Sequence, residues 1–411
     1  MTDFTPAAEL STTSTSASVE PAEFTTATLT PTDVVAAAAR LAPRLLAQAP
    51  LTDEIGGFPT QEMQWLREAG LLTAVLPVAL GGAGLGEPAA TLPLLQVLYH
   101  LGRGNLAVGR LFEGHLNALL LVRCFGTASQ LARFAADARL GHLFGVWNTE
   151  NPADGVQLCG QPTAAGYHLR GAKTFASGAG HVTRPLLTGA LPDKKGWQML
   201  LLNADAQPPV LDRSFWRPLG MRATASFRAD FTGLEIGPNN LIGQPNDYYR
   251  QPWFGGGAVR FAAVQLGGAA AVLDETRRFL RRLNRTDDPY QRQRLGEMLA
   301  LHETGQRWLR GAAVQAPLPA TAIEAQSPAQ LAAVGAYANL LRSVTEDICL
   351  TTLRLAERSV GARGLLQPEP FERLHRDLTH YLRQPAPDAV LAEAGRFALS
   401  SDRPAYELWG G

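Results

Sequence analysis

Residues Phe144–Gly180, FGVWNTENPADGVQLCGQPTAAGYHLRGAKTFASGAG, decide how the rest of the chain is read. An apolar run ends in the polar loop Asn148-Thr149-Glu150-Asn151-Pro152, and after a turn a second extended run closes on Phe175-Ala176-Ser177-Gly178. Tyr167 and Leu169 alternate with His168 and Arg170, the two-residue period of a half-buried strand. Gly166, Gly171 and Gly178 stand where tight turns are expected. Two short strands that end together in hydroxyl, amide and aromatic groups form a wall for a flat heterocycle. An ordinary β-hairpin with polar ends satisfies the same pattern.

Outward from this stretch, residues 143–245 read as strands: Leu143–Trp147, Tyr167–Phe175, Trp197–Leu202 and Ser226–Ile236, with Pro and Gly between them. That spacing predicts a compact antiparallel sheet or small barrel. Residues 33–142 read as a helical domain. Ala and Leu dominate Val34–Gln48, and Pro59-Thr60 opens QEMQWLREAG, which stops at Gly70. The cluster Gly81, Gly82, Gly84 and Gly86 invites a nucleotide-binding reading, but Glu87 occupies the last position of G-x-G-x-x-G, so a tight interhelical loop is expected. From residue 246 to 411 the chain is helical again. Leu273, Thr276, Phe279, Leu280 and Leu283 share one face opposite Arg277, Arg278, Arg281 and Arg282, which read as solvated. A second helix follows Asp288-Pro289, and an Ala/Pro-rich connection over about Ala316–Pro328 precedes a third, roughly Gln330–Ser359. With the run His375–Leu382 these make an antiparallel four-helix bundle. The fold class is therefore α+β, with an N-terminal helical domain, a middle antiparallel β domain and a C-terminal four-helix bundle.

Bulk properties narrow the function classes. The 411 residues are 46% hydrophobic, enough for a large core, and 37 basic residues balance 37 acidic ones. Nothing in that balance points to nucleic acid or to an anionic membrane. No run of about 18 apolar residues suggests a membrane span. Residues 1–32, rich in Ser, Thr, Ala and Pro, read as a disordered tail and lack the pattern of a signal peptide. Three scattered cysteines, Cys124, Cys159 and Cys349, fit a reducing cytoplasm without disulfides. The eight histidines form no H-E-x-x-H set, and no metal-ligand spacing, Walker A sequence or G-x-S-x-G elbow occurs. His375 and His380, five residues apart, fall on different faces of a helix and read as surface or core residues. These absences suit a site built around an organic cofactor, and equally a protein without chemistry.

The chain after residue 50 resembles the acyl-CoA dehydrogenase-like flavoprotein superfamily. Thr149-Glu150 resembles the family's Thr-Glu-Pro loop, and Lys173-Thr174-Phe175-Ala176-Ser177 its Lys-x-Trp-x-Thr strand, with Phe175 for Trp and Ser177 for Thr. Leu80-Gly81-Gly82, Gly220–Ser226 and Asn240–Gly243 resemble further landmarks. Arg358–Gly364, RSVGARG, resembles the Gln-x-x-Gly-Gly-x-Gly segment that meets the FAD of a partner subunit; Arg358 replaces Gln and Ala362 one Gly. The resemblance implies bound FAD, with Thr149, Phe175 and Ser177 at the isoalloxazine and Arg358, Gly361 and Gly364 at the diphosphate. It implies a homodimer or homotetramer, an acyl substrate such as a CoA thioester, and an electron-transfer partner or flavin reductase.

The departures are as informative. The family's Arg-x-Phe-Gly phosphate clamp has no counterpart in NRTDDPYQRQ, where Arg285 is a poor substitute. Pro385 stands where the family's catalytic Glu belongs, Val259 stands at its other known position, and the thioester-binding Ser is missing from NPADGV. Loss of a general base removes a contribution of roughly 10²–10⁴-fold. Asp388 is the nearest replacement, although an exposed helix-capping Asp explains it equally well. Three readings stay open: an FAD-dependent oxidoreductase acting on CH–CH groups, a flavin monooxygenase of the same fold, and a catalytically silent scaffold.

Overall fold

The computed structural model describes residues 29–163, 166–318 and 327–409. The expected tail thus falls outside the described residues up to position 28, and Pro31 and Thr32 already belong to a helix. The connection expected over Ala316–Pro328 also lies mostly outside them.

Helix α1 (Pro31–Gln48) starts at a Thr30–Asp33 capping box, α2 (Thr60–Glu68) is followed by the left-handed Gly70, and α3 (Thr91–Gly104), α4 (Leu106–Phe125) and α5 (Ala128–Arg139) complete the first layer. The Gly81–Gly86 segment is the expected tight loop, with its amides turned onto Leu76, Pro77 and Ala74 carbonyls.

The strands are β1 (Phe144–Trp147), β2 (Gln157–Thr163), β3 (Gly166–Arg170), β4 (Ala172–Ala176), β5 (Arg184–Ala190), β6 (Trp197–Leu201), β7 (Val210–Asp212), β8 (Phe227–Asp230), β9 (Glu235–Ile236) and β10 (Leu241–Ile242). They form a seven-stranded sheet and a separate three-stranded sheet, β4-β8-β7. Two expectations change here. The larger sheet is mixed, because β1 and β2 each run parallel to β5. The run expected as one strand, Tyr167–Phe175, is two: Gly171, at φ 104°, breaks it, and β3 and β4 enter different sheets.

Five helices follow: α6 (Trp253–Arg282), α7 (Pro289–Gln315), α8 (Pro328–Gly364), α9 (Pro370–Tyr381) and α10 (Pro387–Leu399). The first four make the expected bundle, and α10 is laid onto α8. Helix α6 is the centre of the core, packed on α3, α4, α8 and α9. By length and composition it is apolar enough to cross a membrane, contrary to the sequence reading, but 78% of its apolar window is buried. Its crossing with α3 is tight: a Cβ on Gly102 would stand 2.1 Å from the Val264 carbonyl oxygen, and one on Gly267 2.1 Å from that of Tyr99. This crossing, together with α4, which packs on both α6 and β1, places the helices directly against the strand ends.

Candidate functional site

The ends of β1 and β4 meet. Thr174 N donates to Thr149 O at 2.8 Å, so the Asn148–Glu150 loop is tied to the strand carrying Phe175. Beneath that tie lies a buried cation. Lys173, fully buried in β4, donates from Nζ to Glu150 Oε2 at 2.5 Å, Asn148 O at 3.2 Å and Thr188 Oγ1 at 3.3 Å. Burial lowers its pKa and Glu150 works against that shift. Glu150 also accepts from Val156 N at 3.2 Å, so Lys173 and Glu150 brace the loop.

Above this brace Phe175 leaves the sheet. The β4–β8 register shifts between Lys173 and Ala176, and Phe175 takes φ 52°, a left-handed backbone that a bulky residue rarely adopts. Its ring is 48% exposed and meets Phe215 and Trp216 edge-on, with centroids 5.3 and 6.1 Å away. Trp216 in turn meets His380 of α9 at 5.6 Å. Met221 and Ala225, also left-handed, lie in the adjoining loop, whose Thr224 O accepts from Gly178 N at 2.7 Å. Such strain persists only where surrounding structure imposes it, and it concentrates at functional sites. Ser177 is fixed through its carbonyl by Trp147 Nε1 at 2.9 Å. Its hydroxyl accepts from Ser226 at 2.9 Å, the end of a chain from Thr224, and its own proton has no acceptor among the described residues. An exposed aromatic shelf beside a free hydroxyl donor and the exposed Thr149 fits one edge and one face of a planar, carbonyl-bearing ring.

Between α4 and α6 runs a partly buried polar seam that the sequence reading missed. Arg110, Glu113 and Asn117 project along one face of α4. Arg110 Nη1 donates to Glu113 Oε2 at 2.5 Å, Asn117 Nδ2 donates to Glu113 Oε1, and Arg260 of α6 donates from Nε to Asn117 Oδ1. Burial opposes the charge on Arg110, but Glu113 outweighs it and raises the pKa; burial lowers that of Arg260. Tyr248 and Tyr381 are electrostatically coupled to the same carboxylate, and burial pushes both phenols up. The available signal was three polar residues at i, i+3 and i+7 in an otherwise apolar helix. His380, read as surface or core, adjoins the shelf.

The other expected residues lie apart from this assembly. Arg358 and Gly361 are exposed near the end of α8, where Gly361 takes φ 61° and interrupts the helix, and Gly364 is buried against Val360. Asp388 is exposed in the first turn of α10 and bonds to none of the described residues. Val259 is buried at 3% exposure and Pro385 is exposed, so neither base position of the resembled family carries a carboxylate. The family's Glu has no substitute inside the seam either, since Glu113 is held by Arg110 and Asn117.

Comparison with known proteins agrees with this architecture. Residues 259–382 match the family model described as acyl-CoA dehydrogenase, C-terminal domain. Dibenzothiophene monooxygenase of Rhodococcus erythropolis is 27% identical over 398 residues, covering 90% of this chain and 94% of that one. A probable FMNH2-dependent monooxygenase, SfnC of Pseudomonas putida, is 28% identical over 401 residues, covering 92% and 98%. The crystal structure of FMN-bound TdsC from Paenibacillus sp. A11-2 superposes with a TM-score of 0.79 at 21% identity, covering 92% of this chain and all of that one. With its β domain between two helical layers, a C-terminal segment that matches that family model and relatives matched along nearly its full length, the chain has the acyl-CoA dehydrogenase-like fold and is similar to that flavoprotein superfamily.

Proposed function

We propose that this protein is a flavin-dependent monooxygenase that takes reduced FMN from a separate reductase. The observation carrying this reading is a shelf suited to a flavin in a site with no free carboxylate at either base position. Dehydrogenation of an acyl thioester needs that base to remove an α-proton, whereas oxygen transfer does not. Two monooxygenases are matched over most of their length at 27% and 28% identity, against 24% for a putative acyl-CoA dehydrogenase of Bacillus subtilis, which supports the same choice over oxidation of CH–CH groups. The FMN bound by TdsC and the FMNH2 dependence ascribed to SfnC, together with the degraded diphosphate landmarks at Arg285 and Arg358–Gly364, favour FMN over the FAD implied by the resemblance.

Bound in reduced form, the flavin supplies the two electrons with which O₂ delivers one oxygen atom to a substrate and the other to water. The chain's own residues prepare the site. Phe175, Phe215 and Trp216 would cover the ring and keep water from it. Ser177 would donate its free proton to a ring carbonyl, and Thr149 would offer a second polar contact from the facing loop. His380, whose pKa burial lowers, presents a neutral imidazole beside the shelf at neutral pH and is placed to hold or pass a proton. Arg358 and Gly361, exposed near the end of α8, would complete the site from another subunit of a homo-oligomer. The reading is tested by supplying FMN, a flavin reductase and NADH under ¹⁸O₂ with a panel of small organic acids and heteroaromatics. Label in one product supports it. Bleaching of the oxidised flavin by an acyl-CoA without oxygen would overturn it.

A further inference from the structure

Residues 216–226 join the shelf to the hydroxyl chain behind Ser177, and they are held from outside the β domain. Trp216 belongs to the shelf. At the other end Thr224 and Ser226, each 2% exposed, lead through hydrogen bonds of 2.8 and 2.9 Å to the Ser177 hydroxyl. Between them Met221 and Ala225 take φ 58° and 42°, conformations that such residues keep only under restraint.

The restraint comes from α9. Asp377, 3% exposed, accepts from Met221 N through Oδ1 at 2.6 Å. Gly220 lies so close to the helix that a Cβ on it would stand 2.1 Å from Arg376 O. Three residues after Asp377, His380 meets Trp216, so one stretch of α9 touches both the turn and the shelf. The other partner of the carboxylate is held more loosely. Arg373, 5% exposed, reaches Asp377 Oδ2 from Nη1 at 3.4 Å, and its Nε and Nη2 have no partner among the described residues. The short bond of Asp377 is therefore the one to the loop amide, a charge-assisted bond, and Arg373 offsets the buried charge.

We infer that Asp377 is a positioning residue of the shelf: its bond to Met221 N holds the left-handed turn that sets Trp216 and aims the Ser177 proton outward. The consequence for a flavin rests on the oxygenase reading above; the anchor does not.

Three variants separate this role from stability alone. Asp377→Asn keeps an acceptor oxygen for Met221 N and loses the charge. Asp377→Leu loses both, and Arg373→Met/Asp377→Leu also removes the cation that would otherwise stay buried and unpaired. Hydrogen–deuterium exchange is followed over residues 216–226, FMN affinity by quenching of flavin fluorescence, and stability by urea denaturation. Asp377→Leu and the double variant exchange this segment faster and bind FMN more weakly, each by about tenfold or more, the effect of losing a bond to a charged group. The double variant nonetheless regains most of the stability lost in Asp377→Leu. Asp377→Asn stays close to wild type in exchange and in FMN affinity. Leu341→Ala, a core change in α8, lowers stability without altering either. Recovery of FMN affinity along with stability in the double variant overturns the inference. So does an Asn variant that behaves like the Leu variant, or an equal loss of affinity in Leu341→Ala. Wild-type protein that binds no FMN sinks the oxygenase reading, and exchange over residues 216–226 then decides the anchor by itself.

Discussion

Two charged clusters lie within this molecule, and they differ in their balance. At the β4 brace one ammonium with three N–H donors meets three oxygens, from Glu150, Asn148 and Thr188, and opposite charges are one to one. In the α4–α6 seam two guanidinium groups, with five N–H donors each, share one carboxylate and one amide oxygen. Lys173 in the one and Glu113 and Arg260 in the other are all buried, so burial of these charges does not distinguish the clusters. A closed count of donors and acceptors describes a structural brace, whereas an open count leaves donors for water, and the cleft beside Arg260 has room for about one. The shelf around Phe175 follows the same rule in neutral form, with an exposed ring and an unused Ser177 proton.

The largest effect that this contrast predicts is at the brace. Lys173→Met leaves the Glu150 carboxylate partly buried and unpaired, which costs roughly 3–5 kcal/mol in chemical denaturation. A loss below about 1 kcal/mol would show that the loop is held otherwise. Next in size is acid sensitivity through His115, buried in α4 beside the seam. It pairs through Nε2 with Leu72 O at 2.7 Å and accepts from Phe144 N at Nδ1, which requires the neutral ring. Burial lowers its pKa from 6.5 to about 4. The unfolded chain therefore takes up a proton near pH 6.5 and the folded chain only near 4. Its contribution is whole above pH 6.5 and is lost as pH falls towards 4, by roughly 3 kcal/mol. Stability measured between pH 7 and 4 should fall accordingly, and the fall should be shallower in His115→Gln. An unchanged slope in that variant would move the acid response to His100 or His302, which burial also lowers.

The legible parts were those with a local signature. Alternation at Tyr167–Arg170, the Asp288-Pro289 start of α7, and the hydroxyl-ended runs at Thr149 and Ser177 each declare themselves within a few residues. The break at Gly171 was not legible, because a strand that changes sheets keeps its period while its partners change. The parallel pairing of β1 with β5 escaped for a related reason, since pairing depends on a strand forty residues away. Arg110, Glu113 and Asn117 did carry a signal, as charges inside a helix apolar nearly all round have to be paired or used. Arg260 carried no such local signal, since its partner Asn117 lies on another helix. His380 could not be placed by spacing on α9, because what gives it a role is Trp216, which arrives from the loop after β7.

A smaller effect separates strain from use at Phe175. Phe175→Gly removes a left-handed backbone penalty of about 1–2 kcal/mol and adds the conformational cost of glycine, so stability should change by no more than about 1 kcal/mol. FMN affinity, followed by quenching of flavin fluorescence, should weaken about tenfold or more, since the ring contributes the shelf. Unchanged affinity together with lower stability would make Phe175 a packing residue for Phe215 and Trp216.

The smallest expected effect makes the comparison sharpest, because it repeats the substitution made at the brace. Arg260→Met removes a buried guanidinium whose only bond among the described residues is to the Asn117 amide, and replaces it with an apolar chain of similar reach. No opposite charge is orphaned, since Glu113 keeps Arg110 and Asn117. Replacing buried charge by apolar bulk is often neutral or stabilising, so the melting midpoint should move by less than about 1 kcal/mol in equivalent free energy, or rise. The same change of a cation to Met would then cost several kcal/mol in β4 and almost nothing in α6. A cost of 3–5 kcal/mol at Arg260 as well would mean that its terminal nitrogens have acceptors after all, and the seam would be a second brace.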